Sequence, residues 1–209
     1  KAFEEVQARW NKVTENAEKV VEKLMANIKG AETICHAFSK DPVNLSTGNF
    51  IYDRTDLEVG GREPFVFRRF YNAINGREGV LGKDWNHNYE VHLEFTDGEA
   101  VLLREDGKEE RFFWEKDRYL SLFASEGTLE KAEDGYTYRT REQKVYRFDR
   151  EGMCLETETL LGGRVTFTYE TEAPFHLVKA EKDTGEFFAF SYGADGMLER
   201  VEDHVGRCL

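Results

Sequence analysis

His87 is the side chain of this sequence best placed for acid–base chemistry, because an imidazole titrates near neutral pH and can accept or donate a proton. It lies between Trp85 and Tyr89 in the segment Trp-Asn-His-Asn-Tyr. The alternation of that segment puts His87 on the apolar face of a predicted strand. This position favours a hydrogen-bonded histidine of the core, and a hydrolase that uses His87 is the weaker alternative.

Two further constellations of reactive side chains are poor fits to a site. His92 follows His87 by five positions, an odd spacing that sends the two rings to opposite faces of a strand, so a shared metal ion is not expected. Cys35 and His36 could act as nucleophile and base only if the fold separated them and brought them together again.

Carboxylates are too abundant to single out a glycosidase-like acid pair. Asp53, Asp56 and Glu58 could supply one, but the chain has 41 acidic residues and their proximity in sequence discriminates nothing. We expect them to form a solvated face. No P-loop, G-x-S-x-G or H-E-x-x-H motif occurs, so we predict no catalytic residue, no metal ligand and no cofactor.

The composition favours extended sheet. Apolar residues make up 40% of the 209 residues, and the chain has 16 Phe and 9 Tyr beside 3 Pro. The formal net charge of −12 repels a phosphate backbone, and no local basic patch occurs, so nucleic acid is not an expected partner.

The cysteines and the chain ends exclude several other classes. Cys35, Cys154 and Cys208 are scattered and odd in number, so neither a disulfide framework nor a zinc site is expected. No run of about 18 apolar residues predicts a membrane span, and the charged start does not resemble a signal peptide. Because the chain starts within a predicted helix and stops just after Gly206-Arg207, we expect it to be a piece of a longer protein.

Residues 1–30 predict one amphipathic helix that ends at Gly30. Its apolar residues recur at alternating spacings of three and four, as on one helix face: Phe3, Val6, Trp10, Val13, Ala17, Val20 and Leu24. The stripe favours packing on the helix's own domain. A self-associating coiled coil, a plug, a chaperone-docking segment and a linker to an upstream domain stay open.

From Asp41-Pro42 onward the sequence predicts β-structure, since proline disfavours helix in the preceding residue. Residues 85–95 alternate without a break and predict a single half-buried strand. Four pairs fit tight hairpin turns, since Gly readily takes a positive φ: Asp97-Gly98, Asp106-Gly107, Asp134-Gly135 and Asp195-Gly196. Three asparagines are expected to hydrogen-bond backbone groups that the sheet leaves unpaired: Asn72, Asn86 and Asn88.

The last third of the chain repeats itself. Short aromatic strands are predicted at 145–148, 165–169 and 188–192. Two further residue types recur at intervals of 22 and 21: Leu155, Leu177 and Leu198, and Gly163, Gly185 and Gly206. A period of this length marks a repeat architecture in which each unit buries its face against its neighbours. The predicted unit is a β-hairpin.

This unit resembles the YD repeat of Rhs proteins, in which an aromatic strand ending in Tyr-Asp leads to a Gly turn, a Leu-x-x-Val strand and Gly-Arg. The third unit matches at Phe190-Ser-Tyr192, Asp195-Gly196, Leu198, Val201 and Gly206-Arg207, and the first at Tyr146-Arg-Phe-Asp149, Gly152 and Leu155. The middle unit departs, because residues 170–175 replace the usual turn, and an altered loop is expected there.

Three upstream motifs, in the right order, resemble the lead-in domain that precedes the repeats in bacterial Rhs and wall-associated proteins: residues 41–49, 67–72 and 81–89. The resemblance covers residues 41–209. It implies repeats that wind into a closed β-sheet shell around a toxic C-terminal domain, and secretion or surface display by a bacterium. This chain would form the starting end of the shell.

We therefore expect a mainly β protein. An N-terminal amphipathic α-helix and linker (1–40) would precede a lead-in β domain (41–140) and antiparallel YD-type β-hairpin repeats forming a curved sheet (141–209). The predicted function is encapsulation, without enzymatic activity. Expected partners are the remaining repeats and toxin of the parent chain, a second copy through the open sheet edge or the helix, and a secretion chaperone. The main alternative is a surface carbohydrate-binding or adhesin module that uses exposed rings such as Trp114 or Tyr119.

Overall fold

A computed structural model describes residues 49–61, 63–96, 98–121 and 127–209. These residues form β-strands joined by turns, and none of them lies in a helix. The mainly β, antiparallel class is therefore confirmed. The predicted helix over 1–30 and the linker that follows it lie outside the described residues.

The strands are short, as expected for segments that alternate between turns. In chain order they are β1 (Ile51–Val59), β2 (Phe65–Asn72), β3 (Glu78–Gly79), β4 (Gly82–Lys83), β5 (Trp85–His87), β6 (His92–Thr96), β7 (Glu99–Leu103), β8 (Glu109–Glu115), β9 (Arg118–Ser121), β10 (Gly127–Ala132), β11 (Gly135–Thr140), β12 (Val145–Phe148), β13 (Cys154–Glu158), β14 (Arg164–Tyr169), β15 (Leu177–Lys182), β16 (Phe187–Tyr192) and β17 (Leu198–Asp203).

The strands assemble into four antiparallel sheets. Three of them, which we call the lead-in sheets, have the orders β1-β2-β5, β3-β4 and β6-β7-β8-β9. The fourth, the repeat sheet, contains eight strands that pair strictly in chain order from β10 to β17. The predicted aromatic strands coincide with β12, β14 and β16. The predicted domain boundary at 140/141 falls between β11 and β12, which are paired within this sheet, and the division of the chain into domains stays a prediction.

One turn design recurs through the described chain. In seven five-residue turns the first N–H donates to the last carbonyl, and the fourth N–H donates to the first carbonyl: 104–108, 140–144, 149–153, 159–163, 182–186, 193–197 and 203–207. The fourth residue has a positive φ in every case, as in a type I turn closed by a left-handed residue. It is Gly in six turns and Gln143, with φ 67°, in the seventh.

The turns correct two details of the predicted repeat. The left-handed glycine of the 159–163 turn is Gly162, with φ 86°, and not Gly163. Across each aromatic strand's bulge, Phe148 pairs with Cys154, as Tyr169 pairs with Leu177. Leu155 is therefore not the equivalent of Leu177. One residue along a strand reverses the face, so Cys154 is buried and Leu155 is 44% exposed.

The predicted single strand over 85–95 is wrong. The chain turns after His87, where the N–H of Glu90 donates to the His87 carbonyl at 3.0 Å, and it passes from β5 in one sheet to β6 in another. The carboxylate of Glu90 accepts the N–H of His87 at 2.8 Å and stabilises this turn. The alternating burial was correct from His87 to Leu93, but Phe95, predicted on the buried face, is 37% exposed.

The predicted role of the asparagines is confirmed. Asn88 donates its amide to the Val66 carbonyl at 3.0 Å and accepts the N–H of Arg68 at 2.8 Å, which ties the turn after β5 to β2. The Asn86 amide donates to the Glu105 carbonyl, and Asn72 accepts the N–H of Ile74.

Two apolar clusters form the core, and both join a lead-in sheet to the repeat sheet. The first lies where β6, β7 and β8 meet β10 to β13, around Leu102, Phe112 and Tyr138. The second lies where β1 and β2 meet β15, β16 and β17, around Phe67 and Phe188. The contact between the lead-in sheets and the repeat sheet is thus the main hydrophobic interface of the described chain.

Candidate functional site

The interface between the lead-in sheets and the repeat sheet is the candidate functional site, because the most conspicuous sequence motifs meet there. Phe65 stacks on Phe188 with ring centroids 4.5 Å apart, and Phe67 lies 6.1 Å from Phe190. Alternation along β2 and β16 places these rings on facing sides of the two sheets. Aromatic pairs at such distances stabilise by about 0.5–1.5 kcal/mol beyond the area they bury.

His87 belongs to this interface. Its side chain is 1% exposed and stacks on Phe190, with centroids 5.6 Å apart and an interplanar angle of 13°. Nδ1 accepts the N–H of Tyr89 at 3.2 Å, and Nε2 lies 4.0 Å from Glu90 Oε2. Burial lowers the pKa of His87, and this effect exceeds that of the negative charge of Glu90, which raises it. The ring is therefore neutral at pH 7.

The surroundings of His87 differ from those that a hydrolase needs. A general base must lie within hydrogen-bond reach of a nucleophile or substrate in an accessible cleft. Among the described residues, the hydrogen bonds and ion pairs of the His87 ring lead to Tyr89 and Glu90 and to no Ser, Thr or Cys side chain. His87 is among the residues that line the cleft described below, but its 1% exposure and its stacking on Phe190 are those of a packed core histidine.

Among the described residues, backbone hydrogen bonds join the lead-in sheets to the repeat sheet at two places, one within a tight turn and one directly after a tight turn. The Leu93 N–H donates to the Gly152 carbonyl at 2.8 Å, and a Cβ at Gly152 would overlap the Leu93 carbonyl oxygen. At the other place the Leu198 N–H donates to the Val80 carbonyl at 2.8 Å. These backbone bonds fix the first and third repeat units against the lead-in sheets.

The middle unit breaks this pattern, as predicted from its altered sequence. Its loop joins Glu170 to His176, where the Glu170 N–H donates to the His176 carbonyl at 2.9 Å, and is two residues longer than the tight turns. Phe175 has φ 59° and is 46% exposed. A cleft of about 440 Å³ lies beside this loop, between the first and third turns.

The lining of the cleft is mainly apolar. Val80 and Tyr89 line it from the lead-in side, and Met153 and Leu177 line it from the repeat sheet. His176 stacks on Tyr192 with centroids 4.2 Å apart. Two of its polar side chains have partners: His176 Nδ1 lies 3.1 Å from Glu170 Oε2, and the carboxylate of Glu90 accepts backbone N–H groups.

A second polar cluster joins the four-stranded lead-in sheet to the 140–144 turn. Tyr146 donates its hydroxyl to the Glu105 carboxylate at 3.1 Å, and Lys144 Nζ lies 3.6 Å from the same group. Desolvation opposes the charge of Glu105, but Lys144 and Arg104 outweigh it and lower the pKa of Glu105. Burial, with repulsion from Glu105, raises the pKa of Tyr146. These charges stabilise one another and clamp two sheets.

The three carboxylates considered as an acid pair have separate roles. Asp53 pairs with Arg68, and the Glu58 backbone carbonyl accepts a hydrogen bond from Arg207 at 2.9 Å. Asp56 differs from the predicted solvated face: its side chain is 3% exposed and pairs with Arg54, at 3.0 Å, and with Arg69.

The aromatic pair considered for sugar binding is only partly exposed. Trp114 and Tyr119 are cross-strand neighbours with centroids 4.9 Å apart at 68°, and Lys131 Nζ lies 5.8 Å over the Trp114 ring. Trp114 is 42% exposed, whereas Tyr119 packs on Tyr136. Burial and the neighbouring Tyr136 raise the pKa of Tyr119 to about 12.

Several sequence-based expectations concern absences or undescribed residues. Cys35 and His36 lie outside the described residues. Within them, no group of three or more His, Cys, Asp or Glu side chains could hold a metal ion, and Cys154 and Cys208 are free thiols. The described part of the chain also contains no helix long and apolar enough to cross a membrane.

Sequence reasoning missed the cleft and the Glu105 cluster. The departure of residues 170–175 from the repeat was a signal for the cleft, because a longer turn cannot pack on the lead-in sheets in the same way as the shorter turns on either side of it. Nothing in the sequence pairs Glu105 with Tyr146, since they are 41 positions apart and meet only through the packing of two sheets.

Residues 40–112 match a family model described as a domain of unknown function, DUF6531. The match begins before β1 and ends within β8, so it covers most of the lead-in sheets.

Curated relatives come from two bacterial genera. The chain is 34% identical over 131 residues to the probable deoxyribonuclease RhsB of Dickeya dadantii and 30% identical to its probable deoxyribonuclease RhsA, over 60% of this chain in each case. It is 28% identical over 116 residues, 54% of the chain, to the tRNA nuclease WapA of Bacillus subtilis. The matched part spans 9% of each Rhs protein and 5% of WapA. The domain match and these relatives together support the assignment of the chain to the Rhs/YD-repeat family.

Proposed function

We propose that this chain forms the starting end of a β-sheet shell that encloses a toxic domain of a longer protein, and that the chain itself is not an enzyme. The observation that carries the proposal is the strict chain-order pairing of β10 to β17. A sheet that grows by one strand at a time along the chain builds a wall of any length from a short repeated unit.

The two faces of the repeat sheet suit a wall. Along β14, Phe167 and Tyr169 point toward the lead-in sheets, whereas Thr166 and Thr168 are exposed. The lead-in sheets cover the aromatic face and supply the rings that bury it. In this proposal they close the shell at its starting end, and curvature of the sheet completes the enclosure.

Limited proteolysis of the longer parent protein tests the enclosure. We expect its downstream domain to resist protease in the native protein and to become sensitive after Phe67→Asp, which puts a charge into the interface with Phe188 and Phe190. Phe175→Asp, at an exposed ring, is the control and should leave the domain protected. If protease cleaves the downstream domain as readily in the native protein as in the Phe67→Asp variant, the shell proposal is refuted.

A nuclease assay tests the non-enzymatic role, because the relatives are named deoxyribonucleases and tRNA nucleases. The purified chain should cleave neither DNA nor tRNA. Cleavage that His87→Gln abolishes while the near-UV circular dichroism spectrum is preserved would favour the hydrolase alternative.

The proposed shell also defines location and partners. The protein would be secreted or displayed on the surface of a bacterium. Its partners would be the remaining repeats, the enclosed toxin, a secretion chaperone and, through the sheet edge or the N-terminal segment, a second copy.

A carbohydrate-binding module is the second candidate, and the 42% exposed Trp114 under Lys131 favours it. Exposed indoles stack on sugar rings, so glycan-array binding that Trp114→Ala abolishes would support this candidate. Phe95→Ala, at another partly exposed ring, is the matched control. Absence of binding in the native chain would exclude it for the glycans tested.

A further inference from the structure

Strand β2 crosses the strands of the repeat sheet in order. At its start, Lys182 of β15 donates to the Glu63 carbonyl at 2.8 Å. Phe65 then stacks on Phe188 of β16 at 4.5 Å. Phe67 and Arg69 follow, and together with Val201 of β17 and Leu209 they line a small cavity of about 190 Å³. Each step of two residues thus moves β2 toward the later strands of the repeat sheet.

The next step along β2 reaches Tyr71, two residues beyond Arg69, which lines the cavity beside β17. Tyr71 pairs with Tyr52 of β1 on one side and with Trp85 of β5 on the other. Because directly opposed residues share a face, Tyr52, Tyr71 and Trp85 form one row across the lead-in sheet, which we call the aromatic row. This row lies on the same face as Phe65 and Phe67, since Tyr71 is an even number of positions from both.

The aromatic row is incompletely covered. Tyr52 is 40% exposed, and Phe50, 5.9 Å from Tyr71, is 39% exposed. The rings are inclined to one another, edge-on at 78° between Tyr52 and Trp85 and tilted at 52° between Tyr71 and Trp85. Such an arrangement presents no flat platform to a sugar ring, and it matches the tilted packing of side chains within the interface.

The residues after β17 already begin to pair with its outer edge. After the 203–207 turn the chain reverses, Cys208 pairs with Glu202, and the Leu209 N–H donates to the Val201 carbonyl at 3.0 Å. The 182–186 turn leads in the same way to Phe188, which pairs with Ala180. Leu209 therefore occupies the place of Phe188 in the next repeat, but it is 50% exposed, whereas Phe188 is fully buried.

We propose that the aromatic row is the docking face for the next aromatic strand of the repeat sheet, which pairs with β17 and continues from Leu209 in the same polypeptide. This inference rests on the proposed shell function. Its argument is continuity: the row prolongs a face whose preceding residues each pack on a successive strand. The rings of the added strand, at the positions of Phe190 and Tyr192, would fill the cavity beside Arg69 and cover Tyr52, Tyr71 and Trp85.

An extended chain tests the proposal. A second copy of residues 189–209, appended after Leu209, continues the repeat in phase. Hydrogen exchange should show the Leu209 and Val201 amides protected about tenfold or more over the unextended chain, since burial of one large ring changes a local opening equilibrium by at least that factor. An extension in which the residues that correspond to Phe190 and Tyr192 are Ser should lose this gain.

Substitutions in the aromatic row separate docking from general stability. Tyr71→Ser and Tyr52→Ser should reduce the protection of Leu209 about tenfold in the extended chain and leave the unextended chain nearly unchanged. Phe95→Ser, at an exposed ring elsewhere, should change the protection of Leu209 equally in the extended and the unextended chain.

Three outcomes would overturn the proposal. Equal effects of the row substitutions in both chain lengths would show that the sheet grows without docking on the row, and the shell proposal would survive. An extension that leaves Leu209 unprotected would overturn the inference and the proposed shell together. Concentration-dependent burial of Trp85 in the unextended chain, measured by fluorescence in a Trp10→Phe, Trp114→Phe background, would assign the row to a second copy.

Discussion

The lead-in sheets and the repeat sheet differ in the interactions that join the strands within each of them. In the lead-in sheets, opposite charges join strands that are distant in the chain: Arg77 binds Glu94 through two hydrogen bonds, at 2.8 and 3.0 Å, and also Glu109 at 3.0 Å. In the repeat sheet, five of the seven connections between strands are near-identical five-residue turns, and aromatic rings pack along one face.

This difference separates two ways of specifying structure. A repeated unit needs only local turns and alternation, because each strand pairs with the strand next to it in sequence. The lead-in sheets need specific long-range partners, so their stability depends on individual side chains. The following predictions test this contrast, and they run from the largest expected effect to the smallest.

The interface should be the most sensitive part of the molecule. Phe67→Ala removes a ring that is 1% exposed and contacts His87, Phe188 and Phe190, so we expect a loss of about 3–5 kcal/mol in the free energy of unfolding. Urea titration measures it. Phe175→Ala, at an exposed ring of the middle loop, should cost under about 1 kcal/mol. Similar losses for both variants would mean that the interface is not the main core.

Two glycines with the same backbone conformation should differ in sensitivity. Gly152 and Gly185 have φ of 97° and 98°, but a Cβ meets the Leu93 backbone only at Gly152 and finds open space at Gly185. Gly185→Ala should therefore cost only the left-handed strain, about 1–2 kcal/mol. Gly152→Ala should cost more than that, because the lead-in contact must also shift. Equal melting temperatures for the two variants would contradict the packing of the first turn.

Among the seven five-residue turns, the one whose fourth residue is not glycine should be open to stabilisation. Gln143 occupies the left-handed position with φ 67°, where a side chain is strained. Gln143→Gly should raise the free energy of unfolding by up to about 1 kcal/mol, after the entropy cost of glycine in the unfolded chain is subtracted. Gln143→Ala keeps the strain and is the control. If Gln143→Ala raises the melting temperature as much as Gln143→Gly does, strain of the left-handed backbone is not the cause.

Acid should weaken the lead-in sheets through Glu94. A hydrogen bond from His92, together with Arg77 and against the cost of partial burial, lowers the pKa of Glu94 to about 2. A carboxyl whose folded pKa is depressed stabilises the protein above its unfolded pKa, about 4.3, and this contribution fades as the pH falls from about 5 toward 2. The effect is small, since the Glu94 side chain is 42% exposed.

The measurement is the stability difference between the native chain and Glu94→Gln, followed by urea titration from pH 7 to the lowest pH at which the chain folds. The difference should shrink as the pH falls. Thr168→Ser, an uncharged change at an exposed position of the repeat sheet, should show a difference that does not vary with pH. A Glu94→Gln difference that is equally constant would exclude this ion pair as a source of acid sensitivity.

The sequence was most informative where structure is local. The strands β12, β14 and β16 and the tight turns at Asp106-Gly107 and Asp195-Gly196 follow from alternation and from the tolerance of glycine for positive φ. It was misleading over 85–95, where burial alternates from His87 to Leu93 but the chain passes from one lead-in sheet to another. A turn built around the Glu90 carboxylate interrupts what reads as one strand.

By itself, then, the sequence determined the antiparallel β class, the repeated unit and the resemblance to Rhs proteins, because period-two alternation and turn chemistry act between near neighbours. Only the tertiary structure decided that Cys154 and not Leu155 faces inward, that His87 stacks beneath Phe190, and that the longer middle loop leaves a cleft. These features depend on register across a bulge and on the packing of one sheet on another. Register and packing are set by contacts between residues far apart in the chain.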